Sequence, residues 1–407
     1  MFKKASKTFV ILSITMGASF VATILMGREL SPNKFGIYNL IKKFILVGPA
    51  IGCLGMNRSL TKIYAKTKKI PNKVFYFIYT IGLLTSLIIA FIIFHIYEFN
   101  YLHTILIFVV MWMTVITKFN TQYYRINDRY LVSEFVSSGW KLTLLIIISI
   151  SLLFSLSIEN ANIPFLFVLA YIIPTMIIFF YLSPFQTNAI NTKFNFKELV
   201  SYGIIYWIVS SIRLLNNQID KFTIPIVASN KLLGIYTALS FFFIISLKVV
   251  TISYGYVIFP EVSKGKKINW KNIIILLTSV SVIALTIFPL FGRQILNLLF
   301  SGKYNQYIKQ EYLVIFACIG IMRAIYSILH YYIIGKSKKN NLIIYIITSL
   351  ASTFLYLTLI ILLNNFYTVN LHTLIYSILV MRVIDILLIL FVVWRIGKKQ
   401  NLSLNAN

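Results

Sequence analysis

Phe35-Gly36-Ile37-Tyr38 and Leu233-Gly234-Ile235-Tyr236 are near copies of one another, set 198 residues apart in a chain of 407. The correspondence extends past the tetrads. Phe44 falls opposite Phe242, and the basic stretch before Val74 falls opposite the one before Asn272. A pattern that returns after half the chain predicts two similar halves, so whatever one half builds, the other is expected to build again.

Composition says what the halves are made of. The chain is 59% hydrophobic and only 12% charged, which places it in lipid rather than in water. A hydrocarbon layer about 30 Å thick needs roughly 20 apolar residues per helix. Segments of that length fall at 8–26, 36–56, 74–97, 102–118, 133–157 and 163–182, and again at 200–228, 234–259, 272–290, 312–335, 342–363 and 372–394. Their apolar runs are unbroken and lack the alternation of a transmembrane barrel. The expected fold is therefore an all-α integral membrane protein of twelve transmembrane helices in two pseudo-repeated six-helix bundles. The first bundle is expected at 1–182 and the second at 200–407, with a linker at 183–199 on the cytoplasmic side. Duplicated membrane bundles are a common transporter plan.

The formal charge of +28 does not indicate nucleic acid, because its placement is already explained. Of the 38 Lys and Arg, 24 fall in the N-terminus, alternate loops and the C-terminal tail, and 6 in the opposite loops. That bias is the positive-inside rule and predicts that both termini are cytoplasmic. The basic N-terminus followed by the apolar run from Phe9 to Met26 resembles a signal peptide. The run is longer than a typical signal core and no small-residue cleavage site closes it, so it is expected to stay as the first helix.

Neither enzymatic nor metal chemistry is suggested. Cys53 and Cys318 lie singly in apolar segments, His95, His103, His330 and His372 have no ligand spacing, and no phosphate loop, nucleophile elbow or zinc motif is present. No catalytic residue, metal site or cofactor is assigned. The longest outer connection, Phe291 to Gln310, has the spacing of a helix lying in the interface.

The informative residues are ionisable ones inside the apolar segments, each costing about 2.5–3.5 kcal/mol at mid-bilayer. Eight are basic: Lys42, Lys43, Lys141, Arg213, Lys221, Lys248, Arg323 and Arg382. Two are acidic, Asp220 and Asp385. Arg382 and Asp385, three apart on one helical face, can neutralise each other. Asp220 and Lys221, being adjacent, are expected to point in different directions. The excess of cations predicts an anionic substrate, and arginine in particular offers a donor fork that matches a phosphate edge. The candidate substrate-binding set is Arg213, Lys248, Arg323, Lys221, Lys141 and Arg382, with Asp220 and Asp385 as candidate sites for a coupling ion. Tyr202, Tyr206 and Trp207 are read as packing or interfacial aromatics, although such rings can also stack on a sugar.

Three places resemble the polysaccharide flippases of the multidrug/oligosaccharidyl-lipid/polysaccharide (MOP) exporter superfamily, which includes the O-antigen (Wzx-type) repeat-unit flippases. One is Gly27-Arg28-Glu29-Leu30-Ser31-Pro32 with the first tetrad. The second is Asp220 and Lys221 followed by Leu233-Gly234-Ile235-Tyr236, and the third is Ile295 to Phe300 with Gly302 and Tyr304. The resemblance implies two six-helix bundles enclosing a cavity that opens alternately to each side. It also implies undecaprenyl-diphosphate-linked oligosaccharide as substrate, residence in the bacterial inner membrane, and a polysaccharide polymerase and glycosyltransferases as pathway partners. Lipid II flippases of the superfamily usually carry additional C-terminal helices, whose absence here points away from peptidoglycan precursors. A multidrug extruder, which usually binds cations with embedded acids, and a membrane-embedded glycan polymerase or ligase are the alternatives.

Overall fold

A computed structural model describes residues 2–57, 59–60, 70–127, 129–180, 196–263, 270–336 and 339–404. Most of these residues lie in twelve long helices. They are α1 (Phe2–Glu29), α2 (Pro32–Gly52), α3 (Asn72–Tyr97), α4 (Tyr101–Ile126), α5 (Tyr130–Leu153) and α6 (Ile163–Phe180), followed by α7 (Phe196–Val227), α8 (Asn230–Ser263), α9 (Trp270–Phe300), α10 (Gln310–Lys336), α11 (Lys339–Phe366) and α12 (Leu371–Leu404). No strand occurs among the described residues. Eleven of the helices, α2 to α12, are long and apolar enough by described length and composition to cross a membrane. In lipid this is the arrangement backbone chemistry demands, since a helix satisfies its own peptide groups.

The chain divides into two compact units, Met1–Lys221 and Phe222–Asn407. Most of α7 thus groups with the first unit, although the sequence repeat begins near its start. The expected linker at 183–199 lies largely outside the described residues, and 196–199 already belong to α7.

Within each unit the helices pair in the same order. In the first, α2 packs on α3 and α4, α4 on α3 and α6, α5 on α6, and α1 on α5. In the second, α8 packs on α9 and α10, α10 on α9 and α12, and α11 on α12. The counterpart of the α1–α5 contact is a hydrogen-bonded approach of α7 to α11, Thr223 Oγ1 to Tyr356 Oη at 3.3 Å. Matching caps sit at matching positions. Ser31 Oγ accepts the Lys34 N–H at 3.5 Å, and Ser229 Oγ, 198 residues on, accepts the Leu232 N–H at 3.1 Å. Asn162 Oδ1 accepts the Phe165 N–H ahead of α6, and Asn370 Oδ1 accepts the Thr373 N–H ahead of α12.

The repeated tetrads are core anchors. Tyr38 is fully buried and stacks on Phe167 of α6 with ring centroids 5.4 Å apart. Tyr236 is fully buried against Phe316 of α10 at 5.7 Å. Glycines let the backbones close in where no hydrophobic drive exists between lipid-solvated helices. A Cβ on Gly52 of α2 would come within 2.6 Å of Val115, and one on Gly82 of α3 within 2.4 Å of the same side chain, so Val115 of α4 fills the notch between two helices. In the second unit Gly320 of α10 takes Leu247 of α8 in the same manner.

The first half of the interfacial helix expected at Phe291 to Gln310 is a continuation of α9, which runs through Pro289 to Phe300. Nothing between Pro289 and Phe300 stops a helix. Ser301 and Gly302, both at positive φ, do. Tyr304 then folds back on Phe300, ring centroids 5.4 Å apart, and burial pushes its phenol above the usual range.

Candidate functional site

All eight candidate site residues lie well inside their helices, and the geometry sorts them. Asp220 and Lys221, in the second half of α7, do not point apart. Lys221 Nζ reaches Asp220 Oδ2 at 3.1 Å, and both side chains are buried. Adjacent residues start about 100° apart on a helix, but the four-carbon lysine stem bends back far enough to close the pair.

Arg382 and Asp385 form the pair that their spacing predicts. Arg382 Nη1 donates to Asp385 Oδ2 at 2.6 Å, and both side chains are at most 3% exposed. Ser352 of α11 donates its hydroxyl to Asp385 Oδ1, which fixes the carboxylate across the α11–α12 contact. Each of these four charges thus carries a compensating partner, the condition under which lipid-buried ions are tolerated.

The other cations are placed differently. Arg213 lies near the midpoint of α7, Arg323 at the midpoint of α10 and Lys141 near the midpoint of α5, and all three are partly buried. Lys141 Nζ lies 6.0 Å from the Trp140 ring centroid. Lys248 is in α8, with its side chain outside the described residues. The candidates therefore separate into two internally neutralised pairs and a set of mid-helix cations distributed over both units.

Three buried or partly buried polar groups lie outside the candidate set read from the sequence. Glu134, near the start of α5, is buried and takes Arg125 Nη2 of α4 at 2.5 Å, so the embedded acids are not limited to Asp220 and Asp385. Arg125 Nε also donates to Ser133 Oγ at 3.1 Å, and Ser133 in turn donates to the Thr121 carbonyl at 2.9 Å. Lys42 of α2 donates to Thr23 Oγ1 of α1 at 2.7 Å and lies over the Tyr38 ring at 5.5 Å. His330 of α10 is fully buried, with Nδ1 2.6 Å from Tyr345 Oη of α11. The signal for Glu134 was available in its sequence distance from Arg125, which a short helical hairpin closes.

The sequence profile of the family described as "Polysaccharide biosynthesis protein" matches residues 1–266. No curated protein matches the sequence. Among solved structures, the lipid II flippase MurJ in an inward closed conformation superposes with a TM-score of 0.68 at 12% identity, over 95% of this chain and 87% of that one. A multidrug resistance MATE family transporter of the MOP superfamily, inward-facing, gives 0.67 at 13% identity, over 97% and 99%. A MOP superfamily transporter from Pyrococcus furiosus, titled for the reverse polarity of its binding pocket, gives 0.56 at 12% identity, over 96% and 93%. At such identities the likeness is one of fold.

Proposed function

The chain belongs to the polysaccharide biosynthesis protein family and has the fold of MOP-superfamily transporters, and on that premise we propose that it is a flippase. Its substrate is an undecaprenyl-diphosphate-linked oligosaccharide, the repeat unit of O-antigen or a related surface polysaccharide. It moves this lipid from the cytoplasmic to the outer leaflet of the bacterial inner membrane by alternating access, with both termini cytoplasmic.

The observation that carries this reading is the sign of the charged groups at the helix midpoints. The charged residues nearest the midpoints of α5, α7 and α10 are Lys141, Arg213 and Arg323, all basic. Basic groups at that depth suit a diphosphate or acidic sugar whose lipid tail remains in the bilayer. Arg213, Lys141, Arg323 and Lys248 are the residues assigned to attract such an anion, two in each unit. Outward movement of negative charge is helped by about 2.3 kcal/mol per charge for each 100 mV of inside-negative potential. The Pyrococcus furiosus transporter, titled for the reverse polarity of its binding pocket, offers a precedent for this fold with a pocket of different polarity. The MATE relatives favour a second reading, a multidrug extruder, against which the cationic midpoints argue.

Deleting the gene and locating undecaprenyl-linked glycans by mass spectrometry, with and without a membrane-impermeant glycan-cleaving enzyme, tests the proposal. Complete repeat units protected on the cytoplasmic face are the expected result. Unpolymerised units on the outer face would instead mean a polymerase or ligase, and an unchanged glycan pool with altered drug susceptibility would mean an extruder. Arg213→Ala, expressed in the deletion strain, is expected to reach the membrane at wild-type amounts yet restore no export.

A further inference from the structure

The α10–α11 hairpin holds a polar chain that neither the charge pairs nor the mid-helix cations account for. His330 is fully buried, and Tyr326, Tyr345 and Ser349 beside it are buried as well. Nδ1 of His330 lies 2.6 Å from Tyr345 Oη, Tyr345 Oη 2.9 Å from Tyr326 Oη, and Tyr326 Oη 3.5 Å from Ser349 Oγ. Tyr326 and His330, one turn apart on α10, have nearly parallel rings, and Tyr331 meets the imidazole edge-on at 5.7 Å.

The described neighbours of the rings are mostly apolar, and the charged groups on the same and the packed helices are Arg323, three residues before Tyr326 on α10, and the Arg382–Asp385 pair of α12, whose partner Ser352 lies three residues after Ser349 on α11. Tyr326 and Tyr345 belong to a cluster with Ile258 and Val262 of α8, Ile273 of α9, and Ile389, Val392 and Ile396 of α12. The cation nearest in sequence on α10, Lys336, donates to Tyr332 at 3.0 Å. Glu261, the acid on the adjacent stretch of α8, has its side chain outside the described residues. An ionisable side chain embedded this way in a membrane helix is costly and marks function by default.

The corresponding hairpin of the first unit, α4–α5, is closed by the ion pair of Arg125 and Glu134. The second hairpin holds instead a histidine, the side-chain type whose ordinary titration falls near physiological pH. From this contrast, and resting on the transport reading above, we infer that His330 with Tyr345, Tyr326 and Ser349 is a proton-binding site of the second unit whose occupancy sets the pH dependence of transport. The chain of hydroxyls accommodates either state. With imidazole neutral at Nδ1, Tyr345 donates to it. With a proton added there, Nδ1–H donates to the Tyr345 oxygen, Tyr345 turns its proton to Tyr326, and Tyr326 turns its own to Ser349. No covalent bond other than N–H forms, and the proton returns to water when the site empties. Each hydroxyl reverses its donor role, so protonation repacks the α10–α11 contact rather than acting on one residue alone.

The test uses the full chain in nanodiscs with 13C-labelled histidine, and in proteoliposomes with a fluorescent undecaprenyl-diphosphate-linked sugar as probe. His330→Gln identifies the His330 resonance. That resonance is expected to move with pH, with a midpoint that itself moves in Tyr345→Phe. Probe translocation by the wild type is expected to change by up to about tenfold per pH unit near that midpoint, and by less than about twofold in His330→Gln. A resonance that does not move with pH, a midpoint unchanged by Tyr345→Phe, or a wild-type pH slope retained in His330→Gln each overturns the site. If the wild type moves no probe at all, the flippase reading fails, and the titration with its Tyr345→Phe control still decides whether the proton site exists.

Discussion

Asp385→Ala is expected to lower stability by about 3–5 kcal/mol, the cost of leaving a buried charge without its partner. The reason is the depth of the site. Arg382 and Asp385 are almost completely excluded from solvent, their contact is 2.6 Å long, and Ser352 occupies the other carboxylate oxygen. Removing the carboxylate strands the guanidinium on α12 and the hydroxyl on α11 together. Arg382→Ala should do comparable harm from the other side. The double change Arg382→Met with Asp385→Leu removes both charges at similar volume, and such replacements are commonly neutral or stabilising. Thermal unfolding in detergent, followed by the recovery of monodisperse protein, would show a large loss for each single variant and recovery in the double one. If the double variant is stable and also supports export, the pair is a structural clasp and its residues leave the substrate and ion sites. Stability without export would keep Asp385 in the transport cycle.

The fold was legible because lipid enforces a simple code. Twelve apolar segments became twelve helices, and the tetrads 198 residues apart became equivalent core tyrosines, Tyr38 and Tyr236, each buried against an aromatic ring of its own unit. The site was only partly legible, for reasons particular to each residue. The i to i+3 spacing of Arg382 and Asp385 announces their contact, because helical geometry alone brings them together. Asp220 and Lys221 do not announce theirs, because it depends on how a flexible side chain bends after the helix has formed. Glu134 and His330 find their main partners across a hairpin, in Arg125 and Tyr345. Such contacts depend on the rotation of two helices about their axes, which apolar segments with weak amphipathicity leave unspecified. The extension of α9 through Pro289 was missed for a different reason. A proline ring removes one donor and disturbs one turn, but a long helix in lipid has every incentive to resume beyond it.

Gly55→Ala should be nearly as damaging as the loss of Asp385, although it adds one methyl group. The chain leaves α2 through a left-handed turn, Leu54 at φ 43° and Gly55 at φ 68°, and the second position is one where an L side chain costs about 1–2 kcal/mol from backbone conformation alone. A Cβ there would also lie 2.2 Å from the Gly203 carbonyl oxygen and 2.6 Å from the Trp207 nitrogen. Both are backbone atoms of α7 and cannot swing aside, so the end of α2 must lift away from α7, adding about 1–3 kcal/mol of overpacking cost. Gly203→Ala meets the Leu54 carbonyl at 2.9 Å, a milder encroachment at ordinary helical φ, and is expected to cost clearly less. Cys53, buried two residues before the contact, reports the separation directly. In a Cys318→Ser background its reaction with a maleimide should be slow in the parent, fastest in Gly55→Ala and intermediate in Gly203→Ala, with melting temperatures in the reverse order. Equal labelling in all three would mean that the glycine contact does not hold α2 to α7. The expected order would explain why α7, which carries the opening of the second sequence repeat, groups with the first unit. Two glycine backbones bring it there, at the one break in α2 that the corresponding stretch of α8, helical from Asn230 to Ser263, does not share.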